Sequence, residues 1–293
     1  MAFESIPLAA PPCRANDTHM LNPLRIALAL AVSMSWVTAP AFGVPADQAQ
    51  ATDALKTSPR HGEFVDVALP NSQTKLKCFV AYPERAEKAP VVIVIHEIFG
   101  LTDWIRAVCD GLAAEGFIAI APDMLSGMGE GGGGTEAFKG DAVRDAIRGL
   151  KPEVVTERLN SARDYATKLP AANGKSASVG FCWGGSMSFA YATQQPALAG
   201  AVVYYGSPPA ASEMEKITCP VLGLYGKDDA RITSTVDATK DSMQKLGKQY
   251  DAKVYDGAGH GFLRQQSGKD GANLKAAEEA WKVTITFLKD ATE

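Results

Sequence analysis

From about residue 62 onward, apolar and polar positions switch repeatedly between a period of two and a helical period, and this switching predicts the architecture. Residues 64–69 (Phe-Val-Asp-Val-Ala-Leu) and 75–80 (Lys-Leu-Lys-Cys-Phe-Val) alternate and read as an antiparallel opening pair of strands. Residues 91–95 are continuously apolar, as in a strand covered on both faces, and similar runs recur at 117–121, 177–181, 201–205 and 221–225. Helical periodicity fills the intervals, most clearly near 103–115, 153–169, 183–194, 234–247 and 271–290. Parallel neighbours need such crossovers. The pattern therefore predicts an α/β fold, a mostly parallel central sheet with helices on both faces. No Pro- or Ser-rich linker and no repeat divides it, so residues 44–293 are expected to form a single domain.

The first 43 residues do not continue this pattern. Arg25 precedes the apolar run 26–32, and small residues follow at Ala41 and Gly43. A short basic region, an apolar region and a small-x-small site read as a secretory signal peptide over residues 20–43, with Met20 as its start and residues 1–19 as an extension. Ser, Thr and Pro interrupt the run before it reaches the ~20 apolar residues of a membrane anchor. The expectation is a cleaved leader, a mature chain starting near Val44, and a secreted or periplasmic location.

Composition narrows the partners. Hydrophobic residues make up 46% of the 293 and charged residues 21%, enough for a substantial core, and the net charge of -4 offers no basic face for nucleic acid. The partner expected is a small molecule, with no nucleic acid, no stable membrane anchor and a monomeric chain. Of five cysteines, Cys13 precedes the domain; Cys78, Cys109, Cys182 and Cys219 match no disulfide framework or zinc spacing and are expected to stay unpaired. A glycine-rich stretch, residues 127–134, lacks the Gly-Lys-Ser/Thr ending of a phosphate loop and reads as a flexible surface loop bordering the site from a strand end.

The chemistry is concentrated in Gly180-Phe181-Cys182-Trp183-Gly184-Gly185. An apolar strand runs into this segment and a helical pattern leaves it, the form of a nucleophile elbow with cysteine in place of serine. Small residues two before and two after the nucleophile let strand and helix approach. The following helix N-terminus aims N–H groups at the reacting atom, an arrangement expected to lower the thiol pKa and to hold an oxyanion. The expected chain order is nucleophile, acid, base. His61 and His96 lie on the wrong side of Cys182, which leaves His260, in the loop 256–262, as the base. The acid falls in Gly226-Lys227-Asp228-Asp229, where chemistry alone does not choose between Asp228 and Asp229; Asp256 sits at the wrong strand end.

With these motifs and His96-Glu97-Ile98-Phe99-Gly100-Leu101, residues 62–290 resemble the dienelactone hydrolase (carboxymethylenebutenolidase) family of α/β-hydrolases. The resemblance implies an esterase that opens a lactone or ester through a thioester, without metal or organic cofactor. It selects Asp229 as the acid and implies that Glu97 lies beside the resting thiol and moves when substrate binds. It also implies an oxyanion hole from the backbone N–H groups of Ile98 and Trp183, and carboxylate recognition by Arg264, four residues after His260. A second family arginine belongs near Arg144 and Arg148, neither of which aligns clearly. The rival readings are a thiol hydrolase for a different ester and a non-catalytic binding protein on the same fold.

Overall fold

The computed structural model describes residues 43–70 and 72–292. The leader expected at 20–43 therefore lies outside the described residues, Gly43 excepted.

Eight strands form one sheet: β1 (Gly62–Ala68), β2 (Lys75–Ala81), β3 (Ala89–Ile95), β4 (Ile118–Pro122), β5 (Ala172–Phe181), β6 (Gly200–Tyr204), β7 (Val221–Gly226) and β8 (Tyr250–Tyr255). Their order across the sheet is β1-β2-β4-β3-β5-β6-β7-β8. The β1–β2 and β2–β4 pairs are antiparallel and the others parallel, so the opening hairpin caps an otherwise parallel sheet. The helices are α1 (Gln48–Thr57), α2 (Asp103–Ala114), α3 (Ala142–Arg148), α4 (Pro152–Thr167), α5 (Trp183–Ala192), α6 (Ala211–Met214), α7 (Ala230–Thr233), α8 (Val236–Lys245) and α9 (Ala272–Thr292). This is the α/β-hydrolase fold.

Strand alternation sorts the core into two layers. Val92 and Val94 of β3 join Val179, Val202 and Leu222 against α2 and α9, through Trp104, Val108, Trp281 and Leu288. Val91, Ile93 and Ile95 face the other way, with Val203 and Val221, toward Val155 and Leu159 of α4, Phe189 of α5 and Met243 of α8. Each central strand is covered on both faces, which is why its sequence shows no polar alternation. Strand β8, at the sheet edge, is half-buried and only its Tyr255 is fully covered.

Two features add to the sequence reading. Residues 43–60 are packed into the domain: Val44 and Ala51 are buried, and α1 lies against α2. The glycine-rich stretch is tied down rather than loose, forming two short 3-10 turns pinned where Thr135 donates to Asp123 through both its N–H (2.7 Å) and its hydroxyl (2.6 Å).

Candidate active site

The parallel strands end on one side of the sheet, and the loops leaving β3, β5, β6, β7 and β8 carry the site. Cys182 sits between β5 and α5 with φ 55° and ψ -114°, a backbone conformation L-residues adopt only when their surroundings impose it. The glycines impose it. A Cβ on Gly180 would stand 1.9 Å from the Gly184 carbonyl oxygen, and one on Gly184 would stand 2.2 Å from that of Ile95. The turn closes only because both are glycine.

His260 follows β8 and puts Nε2 3.1 Å from the Cys182 Sγ. Its Nδ1 lies 2.5 Å from Oδ2 of Asp229, which follows β7 and is buried. A carboxylate accepts, so Nδ1 carries the hydrogen and Nε2 is left to receive the thiol proton. Asp228, the other sequence candidate, points away and pairs at the surface with Lys269 at 3.0 Å. Asp256 pairs with Lys227 instead.

Glu97, implied by the resemblance to lie beside the resting thiol, brings its charge to the Cys182 sulfur, an influence second only to burial, and is also paired with an arginine. The sulfur is engaged by His260, while Oε2 of Glu97 lies 2.7 Å from Nε of Arg264. That contact is an ion pair rather than an aligned hydrogen bond, because the Nε–H has no acceptor along its axis among the described residues. Arg264 also stacks over the Phe99 ring, 4.6 Å from its centroid. Its guanidinium is thus held by Glu97 and Phe99, and it does not line the cavity beside Cys182. The physical reason is burial: Glu97 is 4% exposed, and a carboxylate there needs a cation more than a thiol does. Even so paired, burial raises the Glu97 carboxyl to about 7, against the opposing pull of the Arg264 charge.

The thiol shows the same balance. Burial and then the Glu97 charge push it up to about 11, against the Trp183 N–H and the Arg231 charge. The expected lowering by the helix N-terminus is present but outweighed. The resting group is a protonated thiol.

A cavity of about 330 Å³ opens beside Sγ, lined by Ile98, Trp183, Tyr205, Arg148, Arg231 and Ser186 among others. Ile98 and Trp183 thus flank the nucleophile from the β3 loop and the α5 N-terminus. Of the two candidates for the second family arginine, Arg148 reaches the cavity, whereas Arg144 stacks over Phe99 at 5.1 Å. The glycine-rich stretch lines a separate recess with Thr74, Lys75 and Lys77.

Three contributors were assigned no role from the sequence. His96 is fully buried; its Nδ1–H donates to the Glu97 carbonyl (2.7 Å) and its Nε2 accepts from the Met124 N–H (3.2 Å). That neutral ring, whose pKa burial lowers, fixes the loop bearing Glu97 and Ile98 and stacks on Trp183. Tyr205 is 1% exposed, lies against His260, has φ 39°, and its hydroxyl has no partner among the described residues. Arg231 follows Asp229 by two residues and brings its charge to the thiol. Motif spacing gives none of the three a role, although His96 stands in the motif of residues 96–101, because only the tertiary fold sets them around Cys182. Among the described residues no cluster of three His, Cys, Asp or Glu side chains forms a metal site, and no helix is long and apolar enough to cross a membrane.

Comparison with known proteins agrees with this geometry. The family model described as "Dienelactone hydrolase family" matches residues 76–292. A Salmonella typhimurium protein named "Putative carboxymethylenebutenolidase" is 28% identical over 237 residues, covering 75% of this chain and 85% of its own. A protein of the same name from Saccharolobus solfataricus is 31% identical over 247 residues, covering 73% and 94%. A crystal structure described as "Putative Dienelactone Hydrolase from Klebsiella pneumoniae subsp. pneumoniae MGH 78578" superposes with a TM-score of 0.67 at 26% identity, covering 77% of this chain and 98% of that one. The reaction class that follows is hydrolysis of a small-molecule carboxylic ester or lactone, and the chain belongs to the dienelactone hydrolase family.

Proposed function

We propose that the chain opens a lactone or ester by cysteine nucleophilic catalysis, through a thioester on Cys182. The observation that carries this reading is the continuous relay Sγ···Nε2–imidazole–Nδ1···Oδ2, from Cys182 through His260 to Asp229, on a turn whose backbone strain the glycines enforce. Because the resting thiol is protonated, deprotonation accompanies attack: the S–H proton passes to Nε2 as sulfur bonds to the carbonyl carbon. The carbonyl oxygen becomes an oxyanion beside the Ile98 and Trp183 N–H groups. The C–O bond breaks, Nε2–H returns its proton to the leaving oxygen, and a thioester remains. Water then gives a proton to Nε2 and attacks the thioester; the C–S bond breaks and the sulfur regains its proton.

Glu97 and Arg264 regulate the charge beside the sulfur, since a Glu97 carboxylate opposes thiolate formation and Arg264 offsets it. Arg148 and Arg231, which line the cavity, suit an acyl group that carries a carboxylate. The leader sequence at 20–43 supports export of the chain.

The test is hydrolysis of a dienelactone and of a neutral aryl ester by wild type and Cys182→Ala, with mass spectrometry of the quenched reaction. Turnover that depends on Cys182, with an acyl adduct on that residue, is the expected result. Activity retained in Cys182→Ala overturns the nucleophile.

A further inference from the structure

Residues 43–46 lie outside the family match, yet they are built into the wall behind the active site. Val44 is 0% exposed and joins the core cluster that contains Trp104, Phe262, Leu263 and Trp281. Gly43 fits against Gly111 of α2, where a Cβ would stand 2.3 Å from the Gly43 carbonyl oxygen.

The carbonyls of this segment bridge two loops. Pro45 accepts from the Trp104 indole N–H at 3.0 Å. Trp104 opens α2, seven residues after Glu97, and its backbone N–H donates to Oε1 of Gln48 at 3.1 Å. On the other side, Nε2 of Gln266 donates to the carbonyls of Val44 (3.3 Å) and Pro45 (3.4 Å) and to that of Leu263 (3.0 Å). The Gln266 N–H donates to the Ala46 carbonyl at 3.4 Å. Gln266 is buried, two residues beyond Arg264 and six beyond His260.

The same two loops meet on the active-site side through the Glu97–Arg264 ion pair. The segment therefore braces from behind what the ion pair joins in front. Further along, Thr52 donates to Asp103 (2.7 Å), and Arg60 pairs with Asp110 (Nε 2.9 Å), fixing the brace to α2.

We propose that residues 44–46 act, with Gln266 and Trp104, as a clasp that positions the His260–Arg264 loop against the Glu97 loop. Gln266 and Trp104 are positioning residues; neither lines the Cys182 cavity. The functional consequence rests on the thiol mechanism proposed above. When the clasp is released, Arg264 drifts from Glu97 and His260 from the sulfur, and misplacement of a reacting group by about 1 Å costs on the order of 10²-fold in rate.

Gln266→Met keeps the side-chain volume but loses the donors, and Trp104→Phe keeps an aromatic core residue but loses the indole N–H. The full chain carrying each is checked for wild-type circular dichroism, then assayed for kcat and KM separately and for iodoacetamide alkylation of Cys182 at mildly alkaline pH. The clasp predicts a fall in kcat of about tenfold or more with KM little changed. It also predicts faster alkylation, because Glu97 left without Arg264 takes up a proton and stops opposing the thiolate. A purely structural role would lower folding stability and leave kcat and alkylation of the folded fraction unchanged. Folded variants with wild-type kcat and alkylation overturn the proposal, as does a change in KM alone. If Cys182→Ala keeps full activity, the thiol mechanism fails, and kcat of the two variants still decides the clasp.

Discussion

Glu97 offers a test of the site's electrostatics that needs no substrate. Burial raises its carboxyl from the ordinary 4.5 to about 7, even with Arg264 alongside. At about 1.4 kcal/mol for each tenfold change, ionising it in the native state costs on the order of 3 kcal/mol more than in an exposed chain. A carboxyl whose ionisation is raised on folding binds its proton more tightly in the native state. The stability it contributes is complete below 4.5, is lost as pH rises to about 7, and stays lost above. Glu97→Gln keeps the shape and removes the titration. It also leaves the Arg264 guanidinium, 23% exposed, without its anion. That loss is a constant offset that cancels between two pH values, since the value of about 7 already includes the Arg264 attraction; about 3 kcal/mol is the figure for the whole range from 4.5 upward. The assay is urea unfolding of both proteins at about pH 5 and about pH 8, compared as the change in their stability difference. Wild type should lose ground to Glu97→Gln by about 1–3 kcal/mol across that interval. Parallel stability curves for the two proteins would refute the reasoning, since they would mean that Glu97 titrates as an exposed carboxyl does.

Asp229→Asn should lower kcat by several orders of magnitude and Asp228→Asn by little, because only Asp229 bonds to the His260 Nδ1; steady-state hydrolysis of an aryl ester checks this. Tyr205→Phe removes a buried hydroxyl without a partner, so it should keep or raise the unfolding midpoint while lowering kcat if that hydroxyl meets substrate; an unchanged kcat would assign Tyr205 to packing alone. Arg231→Ala should raise KM for a carboxylate-bearing ester far more than for a neutral one, whereas Arg264→Ala should lower kcat on both, since Arg264 is committed to Glu97; initial-rate comparison of the two esters separates the outcomes.

How much of this was legible in the sequence follows from what kind of force fixes each part. The strands β3 to β7 were visible because burial on both faces leaves no choice but apolar side chains. The elbow was visible because steric closure at Gly180 and Gly184 admits glycine only. The choice between Asp228 and Asp229 was visible only through the family resemblance and not through residue chemistry, since both are carboxylates after the same strand; physically it rests on which way the turn after β7 aims each one. Helix α1 was missed because it rests on an existing helix and buries only Ala51, so its sequence shows a weak apolar stripe. Glu97 and Arg264 are far apart in the chain, and their pairing depends on the β3 and β8 loops meeting across the sheet.

The protonated resting thiol bears on how such a site survives. An ionisation near 11 leaves a thiolate fraction of about 10⁻⁴ at neutral pH, and it is the thiolate, not the thiol, that attacks peroxides and disulfides. In the oxidising compartment to which the 20–43 leader would direct the chain, an exposed low-pKa cysteine would be consumed. On the mechanism proposed above, burial and the Glu97 charge would hold the sulfur as a thiol, and His260 at 3.1 Å would activate it only when an electrophilic carbonyl is in place to take the electrons. The alkylation rate of Cys182 should therefore rise about tenfold for each tenfold fall in proton concentration through neutral and mildly alkaline pH, without a plateau. A plateau at or below neutral pH would mean a standing thiolate–imidazolium pair, and the protection would have to come from steric cover instead.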